Sequence, residues 1–271
     1  MPHDALTAET LAAHLTTRRL GRPAYLFETI SSTNAWLMER AQAGEAEGAL
    51  AITDTQTAGK GRLGRAWQSP PGAGLLFSLL LRPPSPQLAG AAMMAAAVGV
   101  AAAVRETTGA PARLKWPNDV LLEGRKLAGL LAESSTNPAT GETAVVIGIG
   151  LNANLQPDDF PPPPPGGTPA TSLLAFLGHP VDRVALLHAI LPAIEARYDA
   201  LLAGQPPLAE WRSLLDTLGQ PVTVMGVGQP VVGVAEGVAA DGSLLVRRAD
   251  GTLVTVAAGD VSLRAPAEGE G

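Results

Sequence analysis

Between Thr57 and Ser69, Gly59, Gly61 and Gly64 alternate with Lys60, Arg62 and Arg65, and Trp67 follows. Glycine lets backbone N–H groups come close to a ligand, and arginine forks grip phosphate oxygens. The run therefore suits a loop that closes on a phosphate-bearing molecule; a solvated basic turn is the other reading. Its letters match G-x-G-x-x-G, but that fingerprint needs a helix straight after the glycines to hold pyrophosphate on its N-terminus. Trp67, Pro70, Pro71 and Gly72 prevent such a helix. No Ser or Thr follows Lys60 either, which excludes a Walker loop.

Three further runs carry chemistry. Lys115-Trp116-Pro117-Asn118-Asp119-Val120 reads as a rigid turn with an aromatic anchor, and Asp119 is the kind of ligand that a nucleotide-bound Mg²⁺ takes. Lys126 leads into the apolar stretch Leu127–Glu133; it is either a surface lysine or one aimed at a polarised carbonyl or phosphoryl oxygen. Gly148 and Gly150 interrupt an apolar strand, where glycines mark the close approach of another group. Asn152 beyond them offers a donor and an acceptor, a set suited to an adenine edge.

A chain of 271 residues suffices for one large domain, or for a large and a small one. The net charge of -6 argues against a nucleic-acid-coating surface. No cysteine occurs, which excludes disulfides, thiolate metal sites and a cysteine nucleophile. His3, His14, His179 and His188 are too scattered for a zinc cluster. The first residues lack a basic stretch followed by an apolar core, so a cytoplasmic protein is expected rather than a secreted one. Ser85–Val104 is uncharged over a membrane-spanning length, but its alanines and glycines gain little in lipid. Pro86, Arg105 and Glu106 mark it as a buried globular helix, and no membrane partner is expected.

Helices are expected at Leu6–Leu15, Asn34–Ala43, Thr171–Leu177, Val184–Ala203 with a kink at Pro192, and Leu208–Leu218. Strands are expected at Ala49–Thr53, Leu75–Arg82, Leu114–Trp116, Val120–Leu122, Leu127–Glu133 and Ala144–Leu151. Thr29–Thr33 reads as a polar turn, and Pro117–Asp119 and Glu123–Arg125 as hairpin turns. Phe160–Gly167 is a polyproline surface excursion. From Gly219 to Arg264 valines alternate with polar residues between turns at Gly226-Val227-Gly228, Asp241-Gly242 and Asp250-Gly251. That pattern gives four or five short strands and a small SH3-like barrel, with a disordered tail over 265–271.

Ser32-Thr33-Asn34, the loop from Thr55 to Trp67, Lys115–Val120, Lys126–Glu133 and Gly148–Asn154, taken in this order, resemble the biotin–protein ligase (biotin–[acetyl-CoA-carboxylase] ligase) family. The resemblance implies an α+β fold: a mixed, largely antiparallel sheet flanked by helices, like class II aminoacyl-tRNA synthetases, over 1–218, and an SH3-like barrel over 219–264. It implies ATP with Mg²⁺ as cofactor, biotin as substrate, biotinyl-5′-AMP as intermediate and a lysine of a biotin carboxyl carrier domain as acceptor. By the same resemblance Ser32, Thr33, Asn34, Gln56, Lys60, Gly61, Arg62, Lys126 and Gly129 bind biotin. Gly59, Arg62, Arg65, Trp67, Lys115, Asn118 and Asn152 bind ATP or the adenylate, and Asp119 meets Mg²⁺. Lys126, Arg62 and Arg65 carry the chemistry. Lys60 stands where many relatives have arginine, keeping the charge and losing the fork. Too few residues precede Phe27 for the winged helix of bifunctional members, so no nucleic-acid partner is expected; a homodimer is left open. The rivals are a lipoate or octanoate ligase of the same architecture and a non-catalytic binding module.

Overall fold

The computed structural model describes residues 6–163, 167–225 and 229–263. Helix α1 (Ala8–Ala13), capped by Thr7, is followed by strand β1 (Ala24–Ile30), helix α2 (Thr33–Gln42), β2 (Leu50–Gln56) and β3 (Leu75–Leu81). Next come α3 (Ala89–Thr108), β4 (Arg113–Lys115), β5 (Asp119–Leu122), β6 (Arg125–Thr136) and β7 (Thr143–Leu151). Then follow α4 (Leu173–Leu177), α5 (Arg183–Leu202) and α6 (Leu208–Leu214). The last strands are β8 (Pro221–Met225), β9 (Val231–Val238), β10 (Leu244–Arg247), β11 (Leu253–Val256) and β12 (Asp260–Ser262).

The first sheet has seven strands in the order β1-β2-β3-β7-β6-β5-β4. Only β1 and β2 are parallel. Parallel neighbours need a crossover, and α2 supplies it, so the N-terminus of α2 lies beyond the carboxyl end of β1. Ligands of α/β units bind at that end.

Alternation along the central strands sorts residues onto two faces. Leu75, Phe77, Leu79 and Leu81 of β3 and Val145, Ile147, Ile149 and Leu151 of β7 enter the large core with α3 and α5. Leu80, Ala144 and Val146 enter a smaller cluster with Leu37 and Ala41 of α2. On that second face the strand residues then shrink to Gly148 and Gly150, and the apolar run of β3 is broken by the fully buried Ser78. The sheet thus turns from packing surface into the floor of a cavity.

Helix α3 is long and apolar enough to cross a bilayer, but eleven of its twenty residues are buried and it packs along α5 as a core helix. Helix α5 runs unbroken through Pro192. The second sheet, β11-β10-β9-β8-β12, is antiparallel throughout. Its Val222, Val224, Ala235, Leu244, Val246 and Val261 belong to the same core as α3 and the first sheet. The buried Trp116 crosses between them, donating its indole N–H to the Gly242 carbonyl at 2.9 Å.

Several expectations need correction. Thr29 and Ile30 end β1, and Thr33 opens α2, where a polar turn was expected; β1 is an edge strand with no clear apolar alternation. Asp119 begins β5 instead of closing a turn, and α6 stops at Leu214, four residues short of Leu218. Asp241-Gly242 and Asp250-Gly251 do form turns, each with its glycine at positive φ. The Gly226-Val227-Gly228 turn, His3, Arg264 and the 265–271 tail lie outside the described residues.

Candidate active site

A cavity of about 870 Å³ opens between α2, the basic loop, the glycine-bearing strands and the second sheet. Of the residues singled out from sequence, Ser32, Thr33, Asn34, Gln56, Lys60, Gly61, Arg62, Arg65, Trp67, Lys115, Asn118, Asp119, Lys126, Gly129 and Asn152 line it. Gly59 does not. It sits behind the wall, where its carbonyl accepts the Trp67 N–H at 2.9 Å and a side chain would run into the Trp67 carbonyl.

One wall is neutral and densely hydrogen-bonded. Ser32 caps α2, accepting the Ala35 N–H. Gln56 Oε1, at the end of β2, accepts from the Thr33 N–H at 2.9 Å and from its hydroxyl at 3.2 Å. Ser78 Oγ lies 2.7 Å from Thr33 Oγ1 and 2.6 Å from Asn34 Oδ1. The Asn34 amide nitrogen donates to Glu133 at 2.8 Å and to the Leu131 carbonyl at 3.3 Å. A β-carbon on Gly148 would lie 2.2 Å from Asn34 Oδ1, which is why that strand position holds no side chain. Ser78 was not singled out from sequence and Glu133 was named only as the end of the Lys126–Glu133 run; the available signal for Ser78 was a lone serine inside an otherwise apolar strand.

The opposite wall is cationic. The basic loop is a hairpin, with Lys60 bridging Ala66 and the Gly61 N–H bonded to the Arg65 carbonyl at 2.7 Å. Leu63 at its tip adopts φ 55° and is 69% exposed. Arg62 Nη1 donates to Asn118 Oδ1 at 3.3 Å and to the Gly259 carbonyl at 3.1 Å, and both Arg62 and Arg65 pair with Asp260. Burial pulls the Arg62 guanidinium below its ordinary value; Asp119 works against that shift and Arg65 adds to it. Burial likewise lowers the Lys115 ammonium, which donates to Thr168 Oγ1 at 2.7 Å.

Lys126 Nζ meets Asp119 Oδ1 at 2.7 Å across the β5–β6 pair and lies 5.5 Å from the Trp67 ring centre. Trp67 covers Gly129 and Gly150; a side chain on either would press into its ring. Its indole N–H is buried without a partner, an open donor beside the cavity. Asn152 spends its amide hydrogens on the Thr171 carbonyl at 2.9 Å and the Lys126 carbonyl at 3.5 Å, so only its acceptor oxygen remains for an adenine edge. Phe160–Pro163, Gly167 and Thr168 line the cavity too, so the polyproline run is part of the site and not merely a surface excursion. Pro164, Pro165 and Gly166 lie outside the described residues.

No cluster of three or more His, Asp or Glu able to hold a metal exists among the described residues, and the Asp119 carboxylate is already paired with Lys126. That donor set does not fit a resident protein-held ion. One carboxylate meeting an ion that arrives on phosphates is a different arrangement, and a common one for Mg²⁺.

Residues 26–152 match the biotin/lipoate A/B protein ligase family, and residues 217–264 match the biotin protein ligase C-terminal domain. The chain is 38% identical over 233 residues to the biotin–[acetyl-CoA-carboxylase] ligase of Paracoccus denitrificans, covering 84% of this chain and 95% of that one. The chain belongs to the biotin protein ligase family. It is also 35% identical over 240 residues to the bifunctional ligase/repressor BirA of Bacillus subtilis, covering 88% of this chain and 73% of that protein. Among solved structures, the biotin protein ligase of Aquifex aeolicus in complex with biotin and ATP superposes with a TM-score of 0.74 at 28% identity, covering 92% of this chain and 99% of that one. The family's α+β architecture, a mixed sheet flanked by helices beside a small SH3-like sheet domain, is the one described above.

Proposed function

We propose that the protein is an ATP-dependent ligase: it activates biotin to biotinyl-5′-AMP, releasing pyrophosphate, and passes the biotinyl group to a lysine of a biotin carboxyl carrier domain. The observation that carries this reading is the division of one cavity into a neutral hydrogen-bonding wall and a cationic wall, in a chain of this family. A ureido ring and a carboxylate need the first kind of surface, and phosphates need the second.

In the first step the biotin carboxylate attacks the α-phosphorus of ATP, and pyrophosphate leaves. Two anions must approach, so the reaction depends on cations fixed where the charge concentrates. Lys126, held at the start of β6, takes that place, with Arg62 and Arg65 on the phosphates from the loop and Lys115 and Asn118 on the nucleotide. Ser32, Thr33, Asn34, Gln56, Lys60, Gly61 and Gly129 hold biotin. Trp67 and Asn152 shape the adenine end, and Gly59 acts only from behind, through its bond to the Trp67 backbone. In the second step the acceptor amine attacks the carbonyl of the mixed anhydride and AMP departs, so no protein nucleophile is required. A Mg²⁺ carried by the nucleotide would supply charge neutralisation on its phosphates, and Asp119, which lines the cavity, would be its protein ligand. We place the catalytic work in residues 1–218, with 219–264 closing the cavity, in the cytoplasm where ATP and the acceptor meet.

The test is to mix the protein with biotin, MgATP and an isolated carrier domain, following acceptor mass and pyrophosphate together. Biotinylation of the acceptor matched by pyrophosphate is expected. Labelling by lipoate but not biotin would move the chain to the lipoate branch, and no ATP-dependent labelling at all would leave a binding module.

A further inference from the structure

Seven charged side chains line the cavity among the described residues: Lys60, Arg62, Arg65, Lys115 and Lys126 against Asp119 and Asp260. Both carboxylates are spent on cations that the proposed chemistry needs. Asp119 reaches Lys126 from the neighbouring strand of the same sheet, an arrangement fixed by strand register. Asp260 differs. It comes from β12 of the second sheet, pairs with Arg65 and lies 3.6 Å from Arg62, while the preceding Gly259 offers its carbonyl to the same Arg62 nitrogen.

A carboxylate on an arginine fork occupies the donors that a phosphate would use, and the two anions repel if both remain. The Asp260 pair is also weakly held. Asp260 is 30% exposed and Arg65 51% exposed, and ion pairs so open to water are screened. A polyphosphate, with several oxygens and a higher charge, replaces it.

Resting on the reading of this cavity as a nucleotide site, we propose that Asp260 is an exchangeable counter-ion: it holds Arg62 and Arg65 while the cavity lacks phosphate and gives them up when phosphate binds. Asp260 is thus a positioning residue through which the second sheet sets the affinity of the cavity for phosphate. Arg65 is half in water and Arg62 largely buried, both line the cavity and pair with Asp260, and binding costs the breaking of those pairs.

The experiment compares the full chain with Asp260→Asn and Asp260→Glu by calorimetric titration with inorganic tripolyphosphate, and separately with biotin. Asp260→Asn should bind tripolyphosphate about fivefold tighter, the gain expected from freeing an exposed pair. Asp260→Glu should match the parent, and biotin affinity should not change in either. In an Arg62→Ala, Arg65→Ala background the Asp260→Asn gain should vanish. Under turnover, Asp260→Asn should lower KM for ATP without raising kcat. Unchanged or weaker tripolyphosphate binding by a folded Asp260→Asn chain, or by Asp260→Ser if the asparagine variant does not fold, overturns the proposal. Failure of biotin ligation with the tripolyphosphate gain intact would remove the enzymatic reading and leave the counter-ion standing.

Discussion

Two charged clusters in this molecule use the same side chains to opposite ends. Beneath the N-terminal turn, Glu195 of α5 accepts the backbone N–H groups of Arg18, Arg19 and Leu20 at 2.8, 2.7 and 3.0 Å. Around it Arg18 and Arg19 pair with Asp199, Arg19 with Glu47, and the Tyr198 hydroxyl donates to Glu47 at 2.8 Å. Burial and the Glu47 carboxylate push that phenol above its ordinary range. In the cavity the carboxylates meet only the ends of long side chains. The lesson lies in what each anion holds. A carboxylate bonded to backbone amides can leave only if the chain unfolds, whereas one bonded to a lysine or arginine tip can be exchanged for a ligand. The first cluster fixes the fold; the second keeps its cations available.

The sharpest way to break this contrast is Lys126→Ala. Loss of one preorganised charge at a reacting oxygen costs about a hundredfold or more in rate, so adenylate formation, read as biotin-dependent pyrophosphate release, should fall by that much. The thermal transition should stay near that of the parent. Equal rates would remove the role given to Lys126, and a collapsed transition would make it a structural residue like Glu195.

Glu195→Ala should do the reverse. It strands three backbone N–H groups, at a cost of about 3 kcal/mol in denaturant unfolding, while single-turnover adenylation by the folded fraction stays as in the parent. Burial would raise the Glu195 carboxyl, but the three N–H bonds outweigh it and hold the group below its ordinary value. Its stabilisation is therefore complete above the pH at which an unfolded glutamate titrates, about 4.3, and is lost as pH falls through the lower folded value. The stability gap between parent and Glu195→Ala should be constant from about pH 6 to 8 and narrow as pH falls from about 4 through the lower folded value. A gap independent of pH would show that packing, not the carboxylate, holds the turn.

A smaller effect sharpens the neutral wall. Gly148→Ala drives a methyl into Asn34 and should weaken biotin binding about tenfold, the cost of one displaced hydrogen-bonding group. Tripolyphosphate binding should be untouched, because the cationic wall is built from other elements. Equal loss of both ligands would mean that the two walls are not independent.

The cationic wall was legible because its chemistry is local. Gly59 to Trp67 carries its own charges, and Lys115, Asn118 and Lys126 sit in short runs of unusual composition. Gly148 and Gly150 announced a close approach but not its partners, which proved to be Asn34 and Trp67. What stayed hidden depends on distant pairing. Strand β1 lies at the sheet edge with mixed exposure, so no alternation betrays it, and its parallel partner comes only after a helix. Ser78 sits in a strand expected to be buried, and only its contacts with Thr33 and Asn34 give it a part in the site. Asp260 acquires meaning only when the second sheet folds back beside a loop almost two hundred residues earlier, for Gly259 and Arg62 are 197 positions apart. Trp116 read as a turn anchor, and it is one, but its anchorage is Gly242 of the second sheet.

That anchorage ties the thermodynamics of the two sheets together. Trp116, Met94 and Trp211 share one apolar core with Val222, Leu244 and Val246. Neither half can lose its structure without wetting the other's interior, so heating should give a single calorimetric peak whose van't Hoff and calorimetric enthalpies agree. A chain cut after Leu218 would expose that surface permanently. The small sheet is thus a part of the hydrophobic seal on the large one, and not an appendage that evolution or an engineer could exchange at will.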